Sequence, residues 1–194
     1  IWHHLFGRGV VATVDNFGTI GNLPSHPQLL DMLALKFAQD RWSVKGMIRT
    51  IMLSRAYQLS SAPDATNMNI DPENRLLWRA TPRRLEAETI LDAILAVSGQ
   101  LQLETPARSS VTPLGDKLID NIPAEDLQPP STHRSVYLPV IRDYVPELFD
   151  LFDFPSASLV SGRRSVTSVP AQALYLRNSA FIAEQTQHAA RRLL

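Results

Sequence analysis

Between Thr81 and Gly99 the apolar residues Ala87, Ile90, Leu91, Ile94, Leu95 and Val97 recur at three- and four-residue steps, while Arg83, Arg84, Glu86, Glu88 and Asp92 fill the other positions. This is the period of an amphipathic α-helix, with one apolar face and one charged face. Thr81 can cap its start, Pro82 fits a first turn where no N–H is needed, and Gly99 can close it in the left-handed region. The pattern predicts a helix of about five turns, the central wall of an α-helical domain.

The same spacing predicts further helices. Ile1 to Phe6 reads as the tail of one, closed by Gly7-Arg8-Gly9, and Ser25-His26-Pro27 opens another that runs to about Gln39 with Leu29, Leu30, Leu33, Leu35 and Phe37 on its apolar side. After Asp40-Arg41-Trp42, Ser43 caps a third, carried by Val44, Met47, Ile48, Ile51 and Met52; it is expected to pair antiparallel with the one before it. Pro146 starts a short helix rich in Leu and Phe, and Pro170 opens a last helical region that Asn178-Ser179 divides. Between these lie polar stretches: 10–24, with Gly18, Gly21 and Pro24, and 58–74, with Pro63 and Pro72, read as surface connections. Residues 134–142, RSVYLPVIR, have a strand-like composition that Pro139 limits to an extended or edge segment. Residues 102–131 hold five prolines counted from Pro106 and form a long Pro-rich loop or variable insertion. The fold class is mainly α, a single orthogonal helical domain over 1–194, with at most a minor extended or β segment near 134–142.

Composition removes several classes of function. Lys and Arg number 19 against 19 Asp and Glu, balanced in each half, so no basic field draws nucleic acid or an anionic membrane. No apolar run is long enough to span a bilayer. The absence of cysteine excludes disulfides, thiol catalysis, thiolate-held zinc and iron–sulfur clusters within the chain. The sequence begins at Ile1 and reads as a piece of a longer protein, so it carries no information about export.

Two polar groups can carry chemistry. The first comprises Asp15, His26, Arg83, Arg84, Glu86 and Glu88: close carboxylates can split their proton affinities while a guanidinium holds an anion. The plainer account is that Arg84 and Glu88, four apart, form a surface pair contributing about 0.3–0.5 kcal/mol, and that His26 caps or packs at its helix start. The second comprises Arg163, Arg164, Ser165 and Thr167 ahead of Pro170, where guanidinium groups, hydroxyls and helix N–H groups suit a phosphate, sulfate or carboxylate. The alternative is that the arginines pair with Asp150, Asp153 or another acid and pin the turn. No metal site is expected, because no second histidine stands three or four residues from His26, His3 and His4 are adjacent, and His133 and His188 are isolated. Neither a Gly-x-Ser-x-Gly elbow nor a phosphate loop is present.

Several segments, among them VDNFG at 14–18, PSHPQLLDMLA at 24–34, WSVKGMIRTIMLSRAYQ at 42–58, NRLLWR at 74–79, RRLEAE at 83–88 and GRRSVTSVPAQALYLRNS at 162–179, together resemble one family. It is the planctomycete domain of unknown function found at the C-terminal end of large proteins that carry a cytochrome-c-like domain and a second cytochrome-associated domain. The resemblance implies an exported multidomain protein, periplasmic or on the cell surface, with haem in another domain and no cofactor in this chain; it implies no activity. The leading expectation is a non-catalytic interaction or scaffolding domain whose partners are the other domains of the same polypeptide, engaged in part through 102–131. The alternatives are a polysaccharide-binding or glycan-degrading module and an electron-transfer docking domain.

Overall fold

The computed structural model describes residues 1–112, 131–142 and 144–194. It is mainly α-helical, and among the described residues extended pairing is limited to the isolated bridges Gln102–His133 and Ile141–Tyr144. The strand-like 134–142 segment thus contributes one bridge and a 3₁₀ turn, Ser135–Tyr137, and no sheet. Most of the long Pro-rich segment lies outside the described residues. Contacts divide the chain into two compact units, Ile1–Arg83 and Arg84–Leu194.

In the first unit α1 (Trp2–Phe6) stacks Trp2 on Phe6 at 4.2 Å and ends at Gly7, whose φ of 79° suits only glycine without strain. Phe6 meets Tyr57 edge-on at 5.5 Å. The helix α2 (Pro27–Gln39) begins at its proline and α3 (Val44–Met52) follows Ser43, whose hydroxyl accepts the Gly46 N–H at 3.1 Å. Met47 and Ile51 of α3 are buried, yet no residue of α2 is. The antiparallel pair expected from the pattern therefore forms no buried seam, and Leu35 and Trp42 stay well exposed. Arg41 and Trp42 both take left-handed backbone angles, φ 55° and 60°, to turn the chain between the two helices.

The connection expected over 58–74 contains a short helix, α4 (Ala65–Ile70), capped by the Asp64 carboxylate on the Asn67 N–H at 2.8 Å. Asp71 then accepts the Leu76 and Arg75 N–H groups, and these bonds, Leu76 first, hold its carboxyl below the usual range against the opposing pull of desolvation. The Asn74 side chain, buried at φ 52°, donates to the Arg79 carbonyl at 2.8 Å and to Thr81 Oγ1 at 2.9 Å. Trp78, half-buried beneath the Arg79 guanidinium, donates its indole N–H to the Asp71 carbonyl.

In the second unit α5 (Ala87–Ser98) stops at Gly99, φ 77°, as the pattern requires, but it starts six residues later than Thr81. Thr81 is bonded to Asn74, and Arg84 donates to the Thr167 carbonyl, so the polypeptide before Glu86 is tied into loops. A proline at a potential first turn permits a helix without compelling one. Ala87 and Leu95 are almost fully buried, whereas Val97, placed on the apolar face by its spacing, is 69% exposed. The core joins Ala87 to Leu148, Phe149 and Phe152, with Ile90, Leu91, Ile94 and Phe181 packed around them. Leu148 and Phe149 lie on α6 (Glu147–Leu151), which follows Pro146. The C-terminal region divides at Ser179 into α7 (Pro170–Asn178) and α8 (Ala180–Leu193). Ser98 Oγ donates to Gln185 Oε1 at 2.7 Å, both residues buried, and Arg192 donates to the Ala96 carbonyl near the end of α5.

Replacing Leu95 with Ala should lower unfolding free energy by about 2–5 kcal/mol, because the site cannot collapse around the lost atoms. The Val97→Ala change two residues on should stay within about 0.5 kcal/mol. Chemical denaturation of the two variants side by side checks the contrast.

Candidate functional site

The structure distributes the first candidate group over both units. Asp15, His26 and Arg83 lie in the first. Asp15 is exposed, and His26 stands at the N-cap of α2 with Nδ1 3.0 Å from Ser25 Oγ and no capping bond from its side chain. Arg83 donates to the His4 carbonyl at 2.6 Å and lies across Gly7, where a β-carbon would come within 2.8 Å of its Cδ. These three have separate structural surroundings.

Arg84, Glu86 and Glu88 belong to the second unit, and there the two candidate groups merge. Glu88 occupies the first turn of α5, where the helix dipole favours a carboxylate. It receives both ends of the Arg164 guanidinium, Nη1 to Oε2 at 2.6 Å and Nη2 to Oε1 at 2.8 Å. Glu86 Oε2 lies 3.4 Å from the same Nη1. The Arg84–Glu88 surface pair is therefore corrected: Arg84 precedes the helix, so the four-residue spacing does not align the two, and Glu88 is taken by a partner 76 positions away. Each arginine also lies over an aromatic ring, Arg84 at 5.2 Å from Phe152 and Arg164 at 5.6 Å from Phe154.

Burial would raise the Glu88 carboxyl, but the Arg164 hydrogen bonds, a backbone N–H and the Arg164 charge outweigh it and hold the group below its ordinary value. Arg164 is shifted upward, first by its bonds to Glu88, against desolvation.

The rest of the second candidate group is engaged in the same fabric. Thr167 donates its N–H to Asp153 Oδ2 at 2.7 Å and its hydroxyl to Oδ1 at 2.8 Å, with Asp153 held at φ 63°. Arg163 and Ser165 are exposed; the Arg163 carbonyl accepts the Ser161 hydroxyl. Buried Gln172 accepts the Val169 N–H and donates to the Leu151 carbonyl at 2.7 Å, so the start of α7 is capped from within.

Three residues not singled out as site members complete the arrangement. Asp92, one turn beyond Glu88, accepts the buried Ser135 N–H at 2.7 Å, while the Ser135 hydroxyl donates to the Glu88 carbonyl at 3.1 Å. Arg134 Nε approaches Asp92 at 4.0 Å. The four-residue step from Glu88 to Asp92 was visible in the sequence, but Ser135 and Arg134 carried no local signal. These groups border a cleft of about 460 Å³ within the second unit, with Leu138, Val140, Ile141 and Tyr144 also in its lining. Among the described residues no group of three or more His, Asp or Glu side chains could hold a metal ion, and no helix is long and apolar enough to cross a membrane.

Glu88→Gln should destabilise the protein by about 1–3 kcal/mol, since it strips the charge partner from a partly buried guanidinium. The folded-state pKa of Glu88 is depressed, so the unfolded chain binds the proton more readily. Its contribution is full above the ordinary value of 4.5 and is lost as pH falls through the folded value below that. Stability measured between pH 7 and pH 3 should fall less steeply in Glu88→Gln than in the parent.

The family model described as "PSD1: Protein of unknown function (DUF1553)" matches residues 1–194. No curated protein and no solved structure matches the chain.

Proposed function

Because the chain belongs to the DUF1553 family of unknown function, we propose from its geometry that it is a non-catalytic interaction and positioning domain of a longer polypeptide. The observation that carries this reading is the engagement of four acids of the second unit. Glu88 and Glu86 are held by Arg164, Asp92 by the Ser135 N–H, and Asp153 by Thr167. A general acid or base must exchange its proton during turnover. A carboxylate held low by a bidentate guanidinium is instead fixed as a structural anion.

The surface of the first unit supports the same reading. Leu30, Met32 and Leu35 of α2, with Trp42 after it, are exposed apolar residues that suit contact with a neighbouring domain. The resemblance to domains that follow cytochrome-c-like modules supports an exported setting, haem in another domain, and partners within the same polypeptide.

Substituting Met32 and Leu35 together with Glu in the full polypeptide should leave helical content intact and reduce chemical crosslinking between this domain and its neighbours. Unchanged crosslinks would count against α2 as the contact. Polysaccharide hydrolysis that disappears in Glu88→Gln, with the fold retained, would replace positioning with catalysis.

A further inference from the structure

The cleft in the second unit has a composition that a support alone does not require, and the geometry points to a binding site for a neutral oligosaccharide, bound without cleavage. This goes beyond the positioning role and turns on the capacity that the same acids leave toward the cleft. At about 460 Å³ the cavity falls in the range of small-ligand sites, roughly 300–1,000 Å³. Its lining combines polar groups, Glu86, Thr89 and Asp92 at the start of α5 with Arg134 and Arg164, and apolar ones, among them Leu138, Val140, Ile141 and Val145.

The charge pattern selects the ligand. Among the described residues, three carboxylates (Glu86, Glu88, Asp92) and two guanidinium groups (Arg134, Arg164) border the cleft, so both signs are present. Glu88 and Arg164 are tied to each other, so a charged ligand at that end would have to displace their ion pair and leave a partly buried charge behind, and the half-exposed Glu86 carboxylate repels an anion. A neutral polyol meets no such cost. Its hydroxyls can donate to the spare lone pairs of Glu86 and Asp92 and accept from Arg134 and Thr89.

These groups retain capacity. Glu86 is about half exposed with a single 3.4 Å contact, Arg134 is half exposed with only the 4.0 Å approach to Asp92, and the Thr89 hydroxyl has no partner among the described residues. In the same lining Tyr144, Leu138 and the exposed Val140 offer apolar surface for the C–H face of a sugar ring. Glu88 is bound to Arg164 through both carboxylate oxygens and its carboxyl is held below the ordinary range, so it is not the acid that would protonate a glycosidic oxygen.

Calorimetric titration of the full chain with neutral hexasaccharides (cello-, xylo-, malto- and chito-series) should give saturable binding to at least one, with no shortened products. Oligomers of uronic acids should bind more weakly than the neutral ligand. Thr89→Trp, at an exposed helix position, should fill the cleft and abolish binding, and Arg134→Met should weaken it about tenfold through lost hydrogen bonds. Melting curves and circular dichroism check that both variants fold, and chemical-shift changes confined to α5 and 134–146 locate the ligand independently of either substitution. The inference is overturned by no binding across the panel, by tighter binding of the acidic oligomers, or by binding that survives Thr89→Trp. Cleavage of the sugar would defeat both it and the positioning role, whereas absent binding would leave the latter standing.

Discussion

The Glu88–Arg164 pair is the constraint around which the second unit is arranged. It fastens the first turn of α5 to the segment before α7, across 76 residues of sequence, with two charge-assisted bonds rather than one. A bidentate contact fixes orientation as well as distance. Arg84 reaches the Thr167 carbonyl a few residues beyond Arg164, so the same two segments are stitched a second time. Beneath the stitching lie Phe152 and Phe154, each under one guanidinium, which carries the polar layer directly onto the aromatic core.

The value of this pair is local organisation more than raw stability. Both partners remain partly accessible, so the attraction is weakened by solvent, and desolvation opposes it on either side. What it enforces is that the acids at the start of α5 face cations. Glu86 is drawn toward the same guanidinium, and Asp92 is spent on the Ser135 N–H, whose hydroxyl returns a bond to the Glu88 carbonyl. These carboxylates line a cleft, with Glu88 fully engaged by Arg164 and the outer lone pairs of Glu86 and Asp92 open to a ligand.

The first unit follows a different logic. Its organisation comes from short-range devices: Ser43 and Asp64 cap helices, Asp71 gathers two N–H groups, and Asn74 closes the loop through Thr81. None of these depends on a large buried core, and no residue of α2 is fully buried. Hydrophobic spacing in that helix was read as a seam with α3, yet amphipathic period reports only that one face avoids water, not which surface covers it.

Read alone, the chain determined the mainly helical class and the position of most helices, because apolar period, Ser43 as a cap, Pro27 and Pro170 at helix starts and Gly99 as a stop are all local chemistry. It also contained both halves of the polar cluster, but as two separate groups. Tertiary structure alone decided that Glu88 meets Arg164 instead of Arg84, that α5 begins at Ala87 rather than beside Thr81, and that Val97 faces water. The first turns on a partner 76 residues away, and the second in part on the Arg84 bond to Thr167, 83 residues away. Spacing along one helix ranks which residues can be neighbours; a carboxylate goes to whichever guanidinium the fold delivers in bidentate geometry, and no local pattern encodes that delivery.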